Sequence, residues 1–254
     1  MTQAAKPLAG KVAVITGSAR NMGRAFAVAL ARLGADITVH HHSPKAKDDA
    51  EETARLVREQ GARSIIVEGD LAKLGVVQTL FGATSEAFGR VDIVINNAGV
   101  VIKKPFVDIT EEDFDRSFGI NAKAAFFVMQ EAARRIADNG RIINMGTTIL
   151  GATIPFYSVY AGAKAALEDF TRSLAREIGP RGVTVNVVAP GPIDTEFYHG
   201  AETPESVARA TGASVAGRLG RVNDVVPLIE FLASPASQWV TAQTLFINGG
   251  YLAR

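Results

Sequence analysis

The chain has 254 residues, and its 27 Lys and Arg against 26 Asp and Glu leave a formal net charge of +1. This length allows a full hydrophobic core, and the near-neutral balance without a basic run argues against nucleic acid or an anionic membrane as a partner. The absence of cysteine excludes disulfides, thiol nucleophiles and thiolate metal sites. Without the apolar run of a signal peptide or a membrane span, we expect a cytoplasmic protein.

Short runs rich in β-branched residues alternate along the chain with longer amphipathic stretches. This alternation is typical of βαβ units, in which helices join parallel strands and cover the sheet. In chain order, the predicted strands are residues 12–15, 36–39, 64–67, 91–95, 141–144, 183–188 and 244–247. The predicted helices are residues 22–33, 49–60, 75–88, 111–136, 158–178 and 223–232.

These elements predict an α/β fold of the Rossmann type, a doubly wound parallel sheet of seven strands with helices on both faces. No linker rich in Pro, Gly or Ser divides the chain, so we expect a single domain at residues 8–254 after a tail at residues 1–7. Residues 194–217 differ, because this stretch is long for a connection in a compact domain. We expect it to be either disordered or a lid over a substrate site.

A glycine-containing turn follows the first predicted strand and opens the first predicted helix, with the sequence Thr16-Gly17-Ser18-Ala19-Arg20-Asn21-Met22-Gly23. Free backbone N–H groups and the helix dipole at such a place can bind a pyrophosphate. A plain tight turn is the competing interpretation, but the position between strand and helix favours dinucleotide binding.

Tyr160 and Lys164 stand four residues apart in the predicted helix 158–178. Residues at this spacing lie one turn apart on the same helix face. A neighbouring cation lowers the pKa of a phenol from about 10 towards neutral pH, which favours proton transfer. A solvated surface contact is the alternative for an isolated pair of this kind.

With these motifs in order, the chain resembles the short-chain dehydrogenase/reductase family, in its compact single-domain branch of ketoreductases and alcohol dehydrogenases. The family's glycine motif reads Thr-Gly-x-x-x-Gly-x-Gly, and Asn21 stands here at the middle glycine. Asn is the residue other than glycine that best tolerates positive φ, so we expect the turn to persist at modest strain.

The resemblance implies the catalytic group Asn121, Thr147, Tyr160 and Lys164, in which Thr147 replaces the family's serine thirteen residues before the tyrosine. Thr148 is adjacent and is the alternative hydroxyl. The resemblance also implies a cofactor site made of Gly17, Ser18, Arg20, Asn21, Met22, Gly23, His41, His42, Ser43, Asp70, Leu71, Asn97, Ala98, Gly99, Tyr160, Lys164, Pro190, Gly191, Ile193 and Thr195.

The end of the second predicted strand indicates which dinucleotide binds. A carboxylate there would bind the ribose 2′-OH of NAD, but the sequence is His40-His41-His42-Ser43. We therefore predict NADP(H), with Arg20, His41, His42 and Ser43 around the 2′-phosphate, while NAD(H) stays an alternative. No metal site is expected, because consecutive strand residues point to opposite faces.

The implied activity is an NADP(H)-dependent oxidoreductase that interconverts a ketone or aldehyde and an alcohol. Predicted substrate contacts are Thr147, Ile149, Tyr157 and Phe197. Tyr157 stands seven residues before Lys164, the spacing of related enoyl-thioester reductases, so enoyl reduction is one alternative and a non-catalytic dinucleotide sensor is another. The resemblance further implies a homotetramer and a small-molecule carbonyl or alcohol substrate.

Overall fold

Seven parallel strands form one sheet in the computed structural model, which describes residues 6–152 and 154–253. The strands are β1 (Val12–Ile15), β2 (Asp36–His41), β3 (Ser64–Glu68), β4 (Val91–Asn96), β5 (Ile136–Met145), β6 (Thr184–Pro190) and β7 (Thr244–Ile247). Their order across the sheet is β3-β2-β1-β4-β5-β6-β7. All seven predicted strands are present, and the predicted Rossmann-type fold is confirmed. Residues 1–5 of the predicted tail lie outside the described residues.

The central strands are buried on both faces because helices cover the sheet from both sides. One face packs against α1 (Asn21–Arg32), α2 (Lys47–Glu59) and α10 (Val222–Ala233), and Phe26 and Leu30 of α1 are fully buried there. The other face packs against α3 (Leu74–Phe88), α5 (Ala125–Arg135) and α7 (Ser158–Ile178). This is the doubly wound arrangement that the sequence predicted.

The long helix predicted at residues 111–136 is not continuous. It consists of α4 (Glu111–Phe118), a π-helical stretch at Gly119–Ala124 and α5. Residue 136 already belongs to β5, which begins five residues before its predicted start. The π-helical stretch contains Asn121, and such interruptions of a helix are frequent at functional sites.

Residues 194–217, which we call the lid, contain two helices, α8 (Glu196–His199) and α9 (Pro204–Ala213). Thr203 caps α9, since its hydroxyl accepts a hydrogen bond from the Ser206 N–H, and Pro204 occupies the first helical position. The expectation that this segment could be disordered is therefore wrong. A short helix, α6 (Ile149–Ala152), was also not predicted.

Among the described residues, no helix combines the length and the apolar character that crossing a membrane would require.

Candidate active site

Two cavities open at the carboxyl ends of the strands, where α/β sheets bind ligands. The larger cavity has a volume of about 760 Å³ and follows the glycine turn, the end of β2 and the segment after β4. The smaller cavity has a volume of about 360 Å³ and lies between the start of α7 and the lid. Both cavities are lined by Met22, Gly146, Tyr160, Thr195 and Phe197, so the two spaces meet at Tyr160.

The glycine turn is packed so closely that side chains would not fit at two of its positions. A Cβ atom on Gly23 would lie 2.4 Å from the Gly17 carbonyl oxygen, and one on Gly17 would lie 3.0 Å from the Ala98 Cα. Gly17 also has a φ of 61° and Asn21 a φ of 51°. Asn21 therefore holds the left-handed conformation that a glycine adopts readily at this position.

His40 ties the glycine turn to the neighbouring strands, a role that the sequence did not indicate. Its side chain is buried, its Nδ1 accepts the Gly17 N–H at 3.0 Å, and its Nε2 lies 2.9 Å from the Gly69 carbonyl oxygen. A carbonyl can only accept, so Nε2 carries the proton and the ring is neutral. The pKa of His40 is lowered to about 4, mainly because its imidazole is buried.

The four residues predicted around a 2′-phosphate occupy different environments. Arg20, His41 and His42 line the larger cavity, whereas Ser43 does not. His41 is buried, and its Nδ1 lies 2.9 Å from the Ser43 carbonyl oxygen. His42 is exposed, as is Arg20, whose guanidinium lies 3.4 Å from the carboxylate of Glu196 in the lid. Of these four residues, Arg20 and His42 are therefore the ones with exposed side chains that line the larger cavity.

Most of the other predicted cofactor residues line the larger cavity, namely Gly17, Asn21, Met22, Gly23, Asp70, Leu71, Asn97, Ala98, Gly99, Tyr160, Lys164 and Thr195. Asn97 also braces the turn, because its amide donates to the carbonyl oxygens of Thr16 and Gly17, each at 3.0 Å. Ser18 is buried and donates to the Ile15 carbonyl at 2.8 Å. The remaining predicted residues, Pro190, Gly191 and Ile193, line the smaller cavity instead.

Tyr160 and Lys164 lie one turn apart on α7, and both are buried. Burial raises the pKa of Tyr160 to about 12, and a hydrogen bond with Thr147 acts in the opposite direction. Burial lowers the pKa of Lys164 to about 8. The Lys164 ammonium donates a hydrogen bond to the Met145 carbonyl at 2.7 Å. The sequence predicted that Lys164 lowers the pKa of Tyr160, but without bound ligands the Tyr160 pKa is raised and Lys164 is not among its causes.

The structure separates the two candidate hydroxyls. Thr147 and Thr148 both line the smaller cavity, and Thr147 lies beside the Tyr160 hydroxyl, where its own hydroxyl accepts the Ile149 N–H at 3.3 Å. Thr148 donates its hydroxyl hydrogen to the Ala189 carbonyl at 3.1 Å. Its N–H donates to the Pro190 carbonyl at 2.9 Å, which joins the end of β5 to the end of β6. The Thr148 hydroxyl is thus engaged with the backbone of β6, whereas the Thr147 side chain lies beside Tyr160.

Asn121 holds the segment that follows β4. Its side-chain amide donates to the Val100 carbonyl at 2.8 Å, and its Oδ1 accepts the Val100 N–H at 3.1 Å. A Cβ atom on Gly99 would lie 3.0 Å from the Asn121 Oδ1 and 3.5 Å from the Lys164 Nζ. The π-helical stretch therefore brings Asn121, Gly99 and Lys164 close together beside the larger cavity.

The smaller cavity has mainly apolar and aromatic walls. The predicted substrate contacts Thr147, Ile149, Tyr157 and Phe197 all line it. Sequence reasoning missed several polar side chains of the same cavity, namely Lys103, Glu202, Ser206, Arg209 and Tyr251. They come from three distant parts of the chain, and no local motif marks them.

A dinucleotide fits the larger cavity on three grounds. The tight glycine turn keeps the backbone free of side chains, the N-terminus of α1 faces the space, and the cavity continues to Tyr160. In residues 6–152 and 154–253, no group of three His, Asp or Glu side chains could hold a metal ion. The fold and the site together are those of a dinucleotide-dependent oxidoreductase, with a buried tyrosine where the two cavities meet.

Comparisons with known proteins agree with this class. A family model described as Enoyl-(Acyl carrier protein) reductase matches residues 17–252. A chloroplastic NADPH-dependent aldehyde reductase-like protein of Arabidopsis thaliana is 39% identical, over 99% of this chain and 98% of the relative. A short-chain type dehydrogenase/reductase of Picea abies is 38% identical, over 96% of this chain and 93% of the relative.

The solved structures include a protein from Burkholderia cenocepacia with bound NADP, described as a putative dehydrogenase, which is 41% identical and superposes with a TM-score of 0.95. The match covers 99% of this chain and 97% of the Burkholderia chain. The chain therefore belongs to the short-chain dehydrogenase/reductase family, and it is an NAD(P)-dependent oxidoreductase of that family. The predicted cofactor, NADP(H), is the one bound in the Burkholderia structure.

Proposed function

We propose that the protein is an NADPH-dependent carbonyl reductase that converts an apolar ketone or aldehyde into an alcohol. The observation that carries this proposal is the placement of Tyr160 beside Thr147 at the wall of the smaller cavity, with Tyr160 also lining the larger cavity. A carbonyl oxygen placed there meets two hydroxyl groups, while its carbon faces the larger cavity. When bound, the nicotinamide supplies the hydride.

The protein's own residues handle the proton. Tyr160 keeps its hydroxyl hydrogen at neutral pH, because burial raises its pKa to about 12. As hydride reaches the carbonyl carbon, the C=O electron pair moves to oxygen, which takes the proton of Tyr160. Thr147 stabilises the phenolate that remains by a hydrogen bond, and the buried ammonium of Lys164 lies one turn away on the same helix face.

Asn121 supports this site through the backbone of the segment that follows β4. By binding both backbone groups of Val100, it fixes the segment between Gly99 and the substrate cavity. That segment also approaches the Lys164 Nζ. We infer that Asn121 positions Lys164 and the cofactor-facing backbone, and that it does not exchange a proton with the substrate.

The choice of NADPH over NADH rests on charge at the end of β2. Among the described residues at that end of the larger cavity, Arg20 offers an exposed guanidinium, and β2 ends without a carboxylate of its own. A guanidinium binds a phosphate by charge-assisted hydrogen bonds. The NADP bound to the Burkholderia relative and the name of the Arabidopsis relative support the same choice.

Enoyl-thioester reduction is the competing activity, because the matching family model carries that description. It would require Tyr157 as the proton donor, seven residues before Lys164. The Tyr157 hydroxyl, however, donates its hydrogen bond to the carboxylate of Glu202. A hydroxyl engaged in this way is a poor donor to a substrate, whereas Tyr160 faces Thr147 and both cavities.

A dinucleotide sensor without activity is the second alternative. A sensor has no need for a tyrosine, a lysine and a hydroxyl arranged around a substrate-sized cavity. The buried state of Tyr160 and Lys164 favours catalysis, because strongly shifted pKa values in a cleft are typical of functional groups.

The decisive experiment measures NADPH oxidation with a panel of aromatic and aliphatic aldehydes and ketones and with an enoyl thioester. We expect turnover of carbonyls, and a loss of about 10² to 10⁴ in kcat for Tyr160→Phe. Thr147→Val is expected to lose activity as well, with Thr147→Ser restoring it, while Thr148→Val mainly lowers stability. Turnover of the enoyl thioester alone, or an active Tyr160→Phe variant, would contradict the proposal.

Assembly and location remain sequence-based proposals. We propose a homotetramer from the family resemblance and a cytoplasmic location from the composition of the chain. The name of the Arabidopsis relative places that protein in the chloroplast. Sedimentation of the purified protein tests the tetramer, and a monomer at micromolar concentration would contradict it.

A further inference from the structure

A buried ion pair joins the lid to the body of the protein at the wall of the smaller cavity. The Glu202 carboxylate lies 2.5 Å from the Lys103 ammonium, and the two side chains are 4% and 18% exposed. Lys103 follows β4, whereas Glu202 precedes α9 in the lid. Removing such a pair from water costs free energy unless its oxygens and N–H groups find other partners. The further hydrogen bonds of Glu202 therefore determine whether the pair stabilises the contact between lid and body.

Both oxygens of the Glu202 carboxylate have further partners. The Tyr157 hydroxyl donates to Oε1, and the Ser206 hydroxyl donates to Oε2, which also receives the hydrogen bond from Lys103. The Lys103 ammonium in turn lies 5.3 Å from the centre of the Tyr157 ring. These four side chains, which we call the lid network, therefore form one connected group in which Glu202 accepts a hydrogen bond from each of the other three.

The lid network borders the reaction centre. All four of its side chains line the smaller cavity, together with Tyr160 and Thr147. The centres of the Tyr157 and Tyr160 rings are 6.1 Å apart. The hydrogen bond that Tyr157 donates to Glu202 thus ties the Tyr157 ring, and with it the wall beside Tyr160, to the lid.

We propose that Glu202 is a positioning residue for carbonyl reduction, which docks the lid onto Tyr157 and Lys103 and thereby sets the substrate wall beside Tyr160. This inference rests on the proposed function, since it takes the smaller cavity as the substrate site. Both Glu202 oxygens are already occupied, so Glu202 does not act as a ligand for a cationic group of the substrate. The docked lid presents the Tyr157 ring, and the site selects uncharged substrates with an apolar or aromatic body.

The exposed contact between Arg20 and Glu196 is a weaker tie of the same lid. Its two side chains are 58% and 77% exposed, and ion pairs at such exposure contribute little. Backbone hydrogen bonds hold the two ends of the lid, from Asp194 N–H to the Gly220 carbonyl and from Val215 N–H to the Gly249 carbonyl. The buried lid network therefore fixes the middle of the segment, where it covers the cavity.

The test compares Glu202→Gln with Lys103→Met in steady-state kinetics. Each change breaks the ion pair, and we expect the KM for the carbonyl substrate to rise at least tenfold, with a smaller change in kcat. Because the two residues act as a unit, the double variant should resemble either single variant. The Kd of NADPH, measured by fluorescence, should stay within about twofold of the unmodified protein, since the network does not line the larger cavity.

Lys104→Met is the matched control. Lys104 is adjacent in sequence but pairs with Asp113 of α4, away from the lid. This variant should keep the KM of the unmodified protein, which separates the loss of the lid network from the loss of any lysine in this loop.

Limited trypsin digestion gives a readout that needs no substrate. Undocking of the lid in Glu202→Gln should accelerate cleavage after Arg209 in α9 at least fivefold, with the melting temperature of the whole protein nearly unchanged. An unchanged KM and an unchanged cleavage rate in Glu202→Gln would overturn the proposal, as would additive effects of the two substitutions. If no carbonyl is reduced, the proposed function fails, while the digestion still decides whether Glu202 docks the lid.

Discussion

At the scale of single residues, His40 has an unexpected role. A run of three histidines at a strand end suggests contacts with phosphate. His40 instead lies beneath the glycine turn, where its two ring nitrogens form hydrogen bonds with the backbone of Gly17 and of Gly69. One imidazole thereby links the turn after β1 with the segment after β3. This arrangement requires the neutral ring, because a doubly protonated imidazole cannot accept the Gly17 N–H.

The pH dependence of stability follows from this requirement. Burial lowers the pKa of His40 to about 4 from its usual value of 6.5, so above about pH 7 the ring is neutral in both the folded and the unfolded chain. As the pH falls below the unfolded value, the unfolded chain takes up a proton that the folded protein excludes until about pH 4. His40 therefore lowers the free energy of unfolding, by about 3 kcal/mol once the pH reaches 4.

Urea unfolding between pH 7 and pH 4 checks this expectation, with His40→Asn as the comparison. Carboxylates titrate in both proteins, so the difference between their pH profiles isolates the imidazole. The stability of His40→Asn should fall less steeply with decreasing pH. If stability fell equally steeply with pH in both proteins, the lowered pKa of the buried imidazole would be contradicted.

At the scale of elements, the junction of β1 and α1 depends on backbone conformation. Asn21 begins α1 with a φ of 51° and lines the larger cavity. Asn21→Ala should lower the free energy of unfolding by about 1 kcal/mol, because the left-handed backbone conformation costs alanine more free energy than it costs asparagine. Asn21→Gly should stay within about 0.5 kcal/mol, since relief of strain offsets the greater flexibility of the unfolded glycine.

Asn21→Gly should also bind NADPH more tightly, because it removes a side chain from the cavity wall. Urea unfolding and fluorescence titration measure the two effects on the same samples. Equal stability of Asn21→Ala and the unmodified protein would mean that the left-handed conformation carries no strain here.

The sequence predicts some elements better than others for physical reasons. Buried parallel strands appear as short β-branched runs, and all seven lie within a few residues of their predicted positions except for the start of β5 at Ile136. A π-helical stretch has nearly the same apolar pattern as an α-helix, so the break around Asn121 could not be seen. The start of α9 does carry a signal, a threonine cap followed by Pro204, but it lies in a segment for which no helix was predicted.

Predictions of the site differ in the same way. Tyr160, Lys164 and the glycine turn are recognisable because their residues are close in sequence. The pair of Lys103 and Glu202 is separated by 99 residues and is joined only by the folded lid. The proposed choice of Thr147 over Thr148 likewise needed the structure, which shows the Thr148 hydroxyl bound to the Ala189 carbonyl and Thr147 beside Tyr160.

At the scale of the whole molecule, the sheet places both cavities at the carboxyl ends of its strands. The strands β1 to β3 carry the glycine turn and the residues of the larger cavity, whereas β5 and β6 carry Thr147 and the start of the lid. The segment after β4, with Asn97 and Gly99, lies between them. Ligand binding in the larger cavity therefore contacts segments from both halves of the fold, and it should stabilise the molecule as one unit.

Thermal unfolding with added cofactor measures this coupling. A ligand at 100 times its Kd stabilises the folded state by about 2.7 kcal/mol, which for a chain of this size raises Tm by about 5 to 10 °C. If Arg20 binds the 2′-phosphate, NADH at the same concentration should raise Tm by about half as much, because a tenfold weaker Kd removes about 1.4 kcal/mol. Arg20→Ala should bring the NADPH shift down to the NADH shift and leave the latter unchanged. Equal shifts for the two cofactors in the unmodified protein would contradict the preference for NADPH, since the 2′-phosphate is the chemical difference between them.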